Sequence, residues 1–587
     1  MSTIDQRGVR LELGRVVNID QPDDDSNDEQ ELFVDEDRDL SSSEEEEEEN
    51  VEERLQGYQH DHVDGVIPLI KVVSFGDAWR GDASWDLAWN HFLYPPNVPR
   101  ECQLLRLENI AIPACYLLVG LLQGMSSVLT SVFPLDIGAS EAQQTTLRAL
   151  RVLPSSFKMV FGFISDSVPI YGYRRKPYML MGWFLCSASQ WSLLLFSNLQ
   201  IDVSGSGCFK MDLVDPVVPT DAPTIPFLAL SILLFAMGYW FAEVMGDSMV
   251  AVKAKQEPPH CRGSVQSSCY SYRYFGLMVS APCAAYLYSA TSPVVIVRIL
   301  AALPLGILPL IYWLQEDHLD HHGAPSTRNQ FQALWNTVCQ RAVWQTLGAT
   351  FLYNALQIGN AAWREFQRTV LHFTSCQLNL LGLVGYAMVY AGVVTYKYYL
   401  MQYSWKNIYI LTTVANAMFG MMQILLIYGL TFGLPAFWFA LGDDVFLDFI
   451  DGIQFLPNTI MLVQLVPEGS EGSTYALFTT NHNAALHLAT TFSTLLLPIW
   501  DVSKATMAAG DLSGLANLAF LTKGLQLSAI VVAMLWIPHY KEDLLQLTRQ
   551  RSSVGGFVFL SVTLLSVFYT IFVSLMNIVA PGWLGAS

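Results

Sequence analysis

Long apolar runs, and not alternation, organise this chain from residue 109 onward. Stretches of roughly 20 residues with few charges recur, each long enough to cross a bilayer as a helix. A soluble protein of this size would alternate apolar and polar positions instead. Six such spans lie near 109–134, 143–168, 177–198, 226–250, 265–289 and 293–314. A polar linker with Glu316, Asp317, His318, Asp320, His321 and His322 follows. Six more lie near 343–363, 378–400, 408–431, 440–465, 474–499 and 516–537, and a thirteenth at 556–580 follows a basic segment at 541–551. The expected fold is an all-α membrane protein. Two six-helix bundles, 109–314 and 343–537, are joined by a linker at 315–342, and an extra C-terminal transmembrane helix lies in 538–587. This 6+6 layout is that of two pseudo-repeats packed around a central path.

Charge separates a tail from this body. Residues 1–64 hold 23 of the 52 Asp and Glu but 5 of the 32 Lys and Arg, so most of the formal net charge of −20 sits there. The tail runs through Asp23-Asp24-Asp25 and Ser41-Ser42-Ser43 into Glu44–Glu49. It cannot bury enough apolar surface to offset its ordering entropy, and disorder is expected. It reads as a solubilising tail or, through serines beside an acidic run, as a site for acidophilic kinases. Within the body, Lys and Arg collect after even-numbered spans: Arg174, Arg175 and Lys176, then Lys253, Lys255 and Arg262, then Arg328 and Arg341, then Lys541, Arg549 and Arg551. The connection after span 3 instead carries Asp202, Asp212, Asp215 and Asp221 with one cation, Lys210. By the positive-inside rule the N-terminus and the 315–342 linker are cytoplasmic. The connection after span 10 breaks the pattern by having no cation at all.

Segment 65–108 is too polar to span; its Trp79, Trp85 and Trp89 suit the membrane surface or, the favoured reading, packing beneath the bundle. No apolar core follows a basic start, so a signal peptide is not expected. Cys115, Cys186 and Cys283 fall in or beside spans, Cys208 lies in a polar loop, and no metal-ligand spacing occurs; the cysteines read as packing residues.

A charge in hydrocarbon costs at least ~2.5–3.5 kcal/mol, so each one inside a span needs a cavity or a partner. Lys158, Glu243 and Asp247 are such charges in the first half. Glu243 and Asp247 stand four apart in AEVMGDSMV (242–250), on one helix face. They read as a proton-coupling pair, because two close carboxylates resist ionising together, or as a structural charge pair with Lys158 or Arg262. Span 10 adds Asp443, Asp444, Asp448 and Asp451. Asp443 and Asp444 read as caps at the helix end, and Asp448 and Asp451 as cavity-facing candidates.

The most specific string is GFISDSVPIYGYRRKP, residues 162–177. Gly162 permits close helix approach, Asp166 is placed to cap a helix end and pair with an arginine, and Gly172 permits a tight turn. The string resembles the loop 2–3 signature of the major facilitator superfamily, with extra residues between the Asp and the second Gly. In that family these residues latch one state closed. It is still more similar to the folate–biopterin transporter family within that superfamily. The matching residues are Lys158, Ser165, Asp166, Pro169, Ile170, Gly172, Tyr173, Arg174, Arg175, Pro177 and Tyr178. The family's Trp before that Lys and Pro after it are replaced by Ser155 and Met159. Glu243 stands where the family has Asp in the span 4 motif, and Arg262-Gly263 follows. PEGSEGSTYAL (467–477) resembles the family's junction between spans 10 and 11, with Asn481 or Asn483 after it. The resemblance covers roughly 110–540.

What the resemblance implies is a major-facilitator-type bundle carrying folate or pterin by alternating access as a proton symporter. Its partners are the small-molecule substrate, protons and the lipid bilayer; no cofactor and no nucleic acid are expected. Arg148, Arg151, Arg364 and Arg368 sit at the end of the bundle away from the basic loops. They read as snorkelling cations or, for Arg148, Arg151 and Arg364, as contacts for an anion such as folate's glutamyl tail. The alternative substrate is a sugar, nucleoside or drug-like solute, since one fold hosts many. A membrane enzyme is not expected, because HExxH, GxSxG and P-loop strings are missing. A receptor would carry a folded soluble domain, which the sequence does not suggest.

Overall fold

The computed structural model describes residue 79 and residues 84–139, 141–199, 222–258, 261–318, 327–467 and 469–580. The acidic tail, Cys208 and its loop, and Asp320, His321 and His322 lie outside the described residues. The described part is helical throughout, with only isolated bridges between extended residues. Nine of its helices are long and apolar enough to cross a membrane. Spans 2, 5, 7 and 11 form helices that fall below that measure: spans 2 and 7 are broken into shorter helices, and spans 5 and 11 are rich in Ser, Thr, Gln, Asn and Tyr.

The helices start and stop where local chemistry dictates. Span 4, Ile225–Lys255, opens on Pro226 and closes on Lys253 and Lys255, whose charges suit the helix C-terminus. Thr374 and Gln377 form a capping box at the start of span 8, Ser375–Thr395. Span 2 is two helices, Glu141–Val152 and Lys158–Ser167, separated by a 3₁₀ turn at Leu153–Phe157. Pro154 lacks the N–H that a continuous helix needs there. Span 7 is also shorter than expected. It runs Arg341–Ala355, and Arg364 and Arg368 sit on a separate helix, Trp363–Thr369, after a turn in which Asn360 accepts from the Ala362 amide. The linker contains a helix of its own, Thr327–Cys339.

Helix pairing reveals the repeat. Span 1 packs on span 5, span 3 on span 4 and span 3 on span 6; span 7 packs on span 11, span 9 on span 10 and span 9 on span 12. Between the halves, span 2 meets span 11 and span 5 meets span 8. The thirteenth span, Ser553–Val579, is the extra helix and lies against spans 2, 7 and 11. It is pinned by a Thr563 hydroxyl donating to Asn481 Oδ1 at 2.9 Å, while the Asn481 amide donates to the Leu347 carbonyl. Cys102, Cys115, Cys186, Cys261, Cys269, Cys283 and Cys339 are free. The packing expected of the tryptophans is not found: Trp79, Trp85 and Trp89 are exposed, and the helix Trp85–Leu93 buries Ala88 alone. An amphipathic ring of this kind suits an interface better than a core.

Candidate functional site

The break in span 2 sets Lys158 at the start of a new helix, and that helix points it into the bundle. Lys158, Glu243 and Asp247 are 3%, 1% and 1% exposed. Lys158 Nζ lies 3.4 Å from Glu243 Oε2 and 3.7 Å from Asp247 Oδ2, and 4.5 Å from the centre of the Trp240 ring. Arg273 of span 5 closes the set through an ion pair with Glu243. Tyr116 of span 1 donates to Asp247 Oδ1 at 2.5 Å. The carboxylates thus do not stand alone against each other. Two cations balance two anions, and the repulsion expected from the sequence is compensated. Burial of such a set is affordable only with this full pairing, since a stranded charge would cost several kcal/mol.

Aromatic rings continue the site toward the other half. Tyr270 meets Tyr116 edge-on at 5.3 Å and Phe455 of span 10 at 4.7 Å. Gln266 donates to the Tyr475 hydroxyl of span 11 at 2.6 Å. His482 Nδ1 accepts from the side-chain amides of Asn354 and Asn458 at 3.1 and 3.0 Å.

Loop 2–3 forms a second cluster. Ile170 and Tyr173 exchange backbone hydrogen bonds of 2.9 and 3.0 Å around Tyr171 and Gly172, both at positive φ. That is the two-residue turn of a tight hairpin, which glycine favours. Glu316 accepts from the amides of Arg174, Arg175 and Lys176 at 2.8–2.9 Å, so the linker caps the start of span 3. Asp166, fully buried, accepts from the Ser473 amide at 2.7 Å and pairs with Arg175 at 3.4 Å. It caps span 11 of the opposite half and not its own helix. Arg175 also reaches Glu471 at 2.9 Å, Lys255 reaches Glu471 at 3.6 Å, and Arg174 donates to the Gly469 carbonyl at 3.0 Å. Gly162 faces Gly472, leaving no room for a side chain between spans 2 and 11.

In span 10, Asp443 and Asp444 are not caps. The helix Ala436–Val463 begins after Pro435, about two turns earlier, with no side-chain cap. Asp443 is buried with neither carboxylate oxygen hydrogen-bonded among the described residues. Asp444, Asp448 and Asp451 form a row, with Lys523 of span 12 facing Asp443, Asp444 and Asp451. Asp451 is exposed although it lies mid-helix, near Tyr274 of span 5 and Tyr353 of span 7. Arg148 comes into electrostatic range of both Arg151 and Arg364. Sequence reading missed Arg273, Lys523 and Tyr116, and the roles of Glu316, Glu471 and Tyr475. Arg273 and Lys523 were within reach, since both are charges inside expected spans.

Residues 120–550 match the BT1 family. The chain is similar to a folate-biopterin transporter of Synechocystis sp., 26% identical over 382 residues that cover 64% of this chain and 72% of that protein. It is also similar to folate transporter 1 of Plasmodium falciparum, at 21% over 349 residues, 59% of this chain and 63% of that protein. Probable folate-biopterin transporter 2 of Arabidopsis thaliana is 21% identical over 405 residues, 66% of this chain and 76% of that protein. Among solved structures, it is similar to the major facilitator superfamily proton:xylose symporter XylE bound to 6-bromo-6-deoxy-D-glucose. That likeness has 14% identity and a TM-score of 0.52, covering 73% of this chain and 95% of that one. A double-tryptophan mutant of XylE gives 12% identity and a TM-score of 0.54, covering 76% and 98%. The family match takes in spans 2 to 12, the loop 2–3 string among them. The chain belongs to the BT1 family, and its helical bundle has the major facilitator fold.

Proposed function

We propose that this protein is a secondary transporter that carries folate- or pterin-type solutes across a membrane by alternating access, coupled to protons. The observation that carries the reading is the buried set Lys158, Glu243, Asp247 and Arg273, held mid-bundle beside aromatic rings from both halves. The names of the relatives support the substrate class. A pterin presents adjacent N–H donors that one carboxylate accepts in pairs, and flat rings suit the aromatic surroundings. Protonation of Asp247 would remove its pull on Lys158 and leave Lys158 and Arg273 to share Glu243, so a proton here changes how the cations are held. Asp448 and Asp451 are the candidates for the same work in the second half. The loop 2–3 cluster of Gly162, Asp166, Gly172, Arg174 and Arg175 is the gate at one end. The distribution of Lys and Arg supports a cytoplasmic N-terminus and linker, which makes that end the cytoplasmic one.

Uptake of labelled folate, biopterin and unrelated solutes into proteoliposomes, with and without a pH gradient, tests the reading. Asp247→Asn should abolish gradient-driven accumulation while leaving some exchange of solute across the membrane. Glu243→Gln should do less. Well-folded Asp247→Asn and Glu243→Gln proteins that both keep full gradient-driven uptake would refute proton coupling through this helix.

A further inference from the structure

Arg148 and Arg151 belong to the first part of span 2, and Arg364 to the short helix after span 7. They come from opposite halves, yet Arg148 lies in electrostatic range of both others. Arg148 and Arg364 are exposed and Arg151 is half-buried. Arg151 donates to the Gln123 carbonyl at 3.0 Å and to Ser126 Oγ at 3.3 Å, bonds that orient its guanidinium without neutralising it. Among the described residues none of the three makes an ion pair. Glu365, next to Arg364 in the chain, is engaged by Lys504 at 3.6 Å and Thr369 at 2.6 Å. Asp444 faces Arg364 at longer range, which leaves three cations against one carboxylate.

This end of the bundle is the one away from the loop 2–3 cluster. There, carboxylates and cations tie the halves together; here, like charges oppose each other across the same seam. We infer that Arg148, Arg151 and Arg364 form a dicarboxylate-binding site shared by the two halves, which holds the anionic tail of the transported solute and draws the halves together at this end. The inference rests on the transport reading above. Guanidinium forks match carboxylates in bidentate geometry, so several of them suit a tail with two carboxylates. An anion between the halves gains from both only when they approach. It therefore binds the approached state more tightly and shifts the equilibrium toward it. Without the anion, mutual repulsion keeps the arginines apart. A folate carries a glutamyl tail with two carboxylates and biopterin carries none, so the site would set preference between them. A phospholipid phosphate shares the anion chemistry. The site is assigned to solute because Arg364 neighbours Asp444, the first of the row that leads to accessible Asp451 in the interior.

The test uses full-length protein in phosphatidylcholine proteoliposomes, with Arg148→Gln and Arg364→Gln. The KM for folate should rise about tenfold or more relative to the KM for biopterin, and Arg364→Lys should recover part of the loss. Equal changes for both solutes, or an unchanged folate KM, would overturn the site. So would an effect that appears only when phosphatidylglycerol is added, which would assign the arginines to lipid. A binding arm separates this outcome from failure of the transport reading. In detergent, p-aminobenzoylglutamate, which has the dicarboxylate tail and no pterin, should raise the thermal unfolding temperature of the parent and not of Arg148→Gln/Arg364→Gln. Stabilisation of the parent alone supports the site even if neither folate nor biopterin is transported. No stabilisation of the parent, or equal stabilisation of both, overturns it.

Discussion

Replacing Gly162 with alanine should open the loop 2–3 end of the bundle while leaving each half folded. A Cβ at this position would lie 2.3 Å from the Gly472 carbonyl oxygen, 2.6 Å from its carbon and 2.9 Å from Ala476 Cβ. A carbon–oxygen contact relaxes near ~3.3 Å, so spans 2 and 11 must separate by about 1 Å. Two of those atoms are backbone, and no flexible side chain can swing away to absorb the strain. Overpacking of this kind costs roughly 1–3 kcal/mol. The cost falls only on the state in which the two halves touch here, because Gly162 and Gly472 belong to different halves. The ratio of open to closed should rise about 5- to 150-fold. Ser470 is 1% exposed in the closed arrangement, so Ser470→Cys reports opening through its rate of modification by a thiol reagent. In the Gly162→Ala background that rate should rise by the same factor, with little change in thermal unfolding temperature. A rate indistinguishable from that of Ser470→Cys alone would refute the argument that this approach holds the end shut.

Asp166→Asn keeps the shape of the cap but removes the charge held by Arg175; transport should slow with substrate KM little changed, and weaker binding at normal turnover would contradict the gate. Lys158→Met should strand Glu243 and Asp247 and destabilise the fold by about 3–5 kcal/mol, with Lys158→Met/Asp247→Asn costing less than the sum of the single changes; strictly additive losses in denaturation would rule out the pairing. Tyr475→Phe removes the hydroxyl that accepts from Gln266 across the halves, and gradient-driven uptake should fall more than exchange does; equal loss of both would count against a coupling role. Glu257 lies after span 4, where burial pushes its carboxyl up to about 7 although the amides of Gly263 and Val265 donate to it. A folded value above the ordinary 4.5 means its stabilising contribution is full below that pH and is lost as pH rises through about 7. The unfolding temperature should therefore decline across that window, and Glu257→Gln should flatten the decline; an identical slope would exclude Glu257 as its source.

The spans were legible because burial in hydrocarbon requires long apolar runs, and composition records that directly. Their interruptions were harder to see. A window that averages 20 residues passes over Pro154, and over Gly359-Asn360 after span 7, yet these breaks decide where Lys158 and Arg364 stand. Asp443 and Asp444 were misread for a related reason. Hydropathy placed the start of span 10 at residue 440, whereas Pro435 had already fixed it, so the buried Asp443 and half-buried Asp444 looked like caps. The Lys158 pairing was foreseen as an alternative, while Arg273 was passed over although it obeys the same rule about charge inside a span. Spacing along one helix reports partners three and four residues away. It cannot report that Arg175 meets Glu471 or that Asp166 caps span 11, because those contacts depend on how the two halves face each other.

The charged groups divide by where they lie relative to the seam. Arg175 and Lys255 pair with Glu471 across it and Asp166 accepts from the Ser473 amide across it, so their attraction favours the halves being together at that end. Lys158, Glu243, Asp247 and Arg273 all belong to the first half. A change of protonation in that set alters no charge pair between the halves, and it cannot by itself drive them apart or together. Its influence on the second half has to pass through groups that touch both. Tyr116 bonds Asp247 and packs on Tyr270, and Tyr270 packs on Phe455 of the second half. Gln266, one turn before Tyr270 on span 5, holds Tyr475. Span 5 therefore carries both the cation that balances Glu243 and the residues that grip spans 10 and 11. A shift of that one helix is the physical route by which a proton taken up at Asp247 would be felt across the seam.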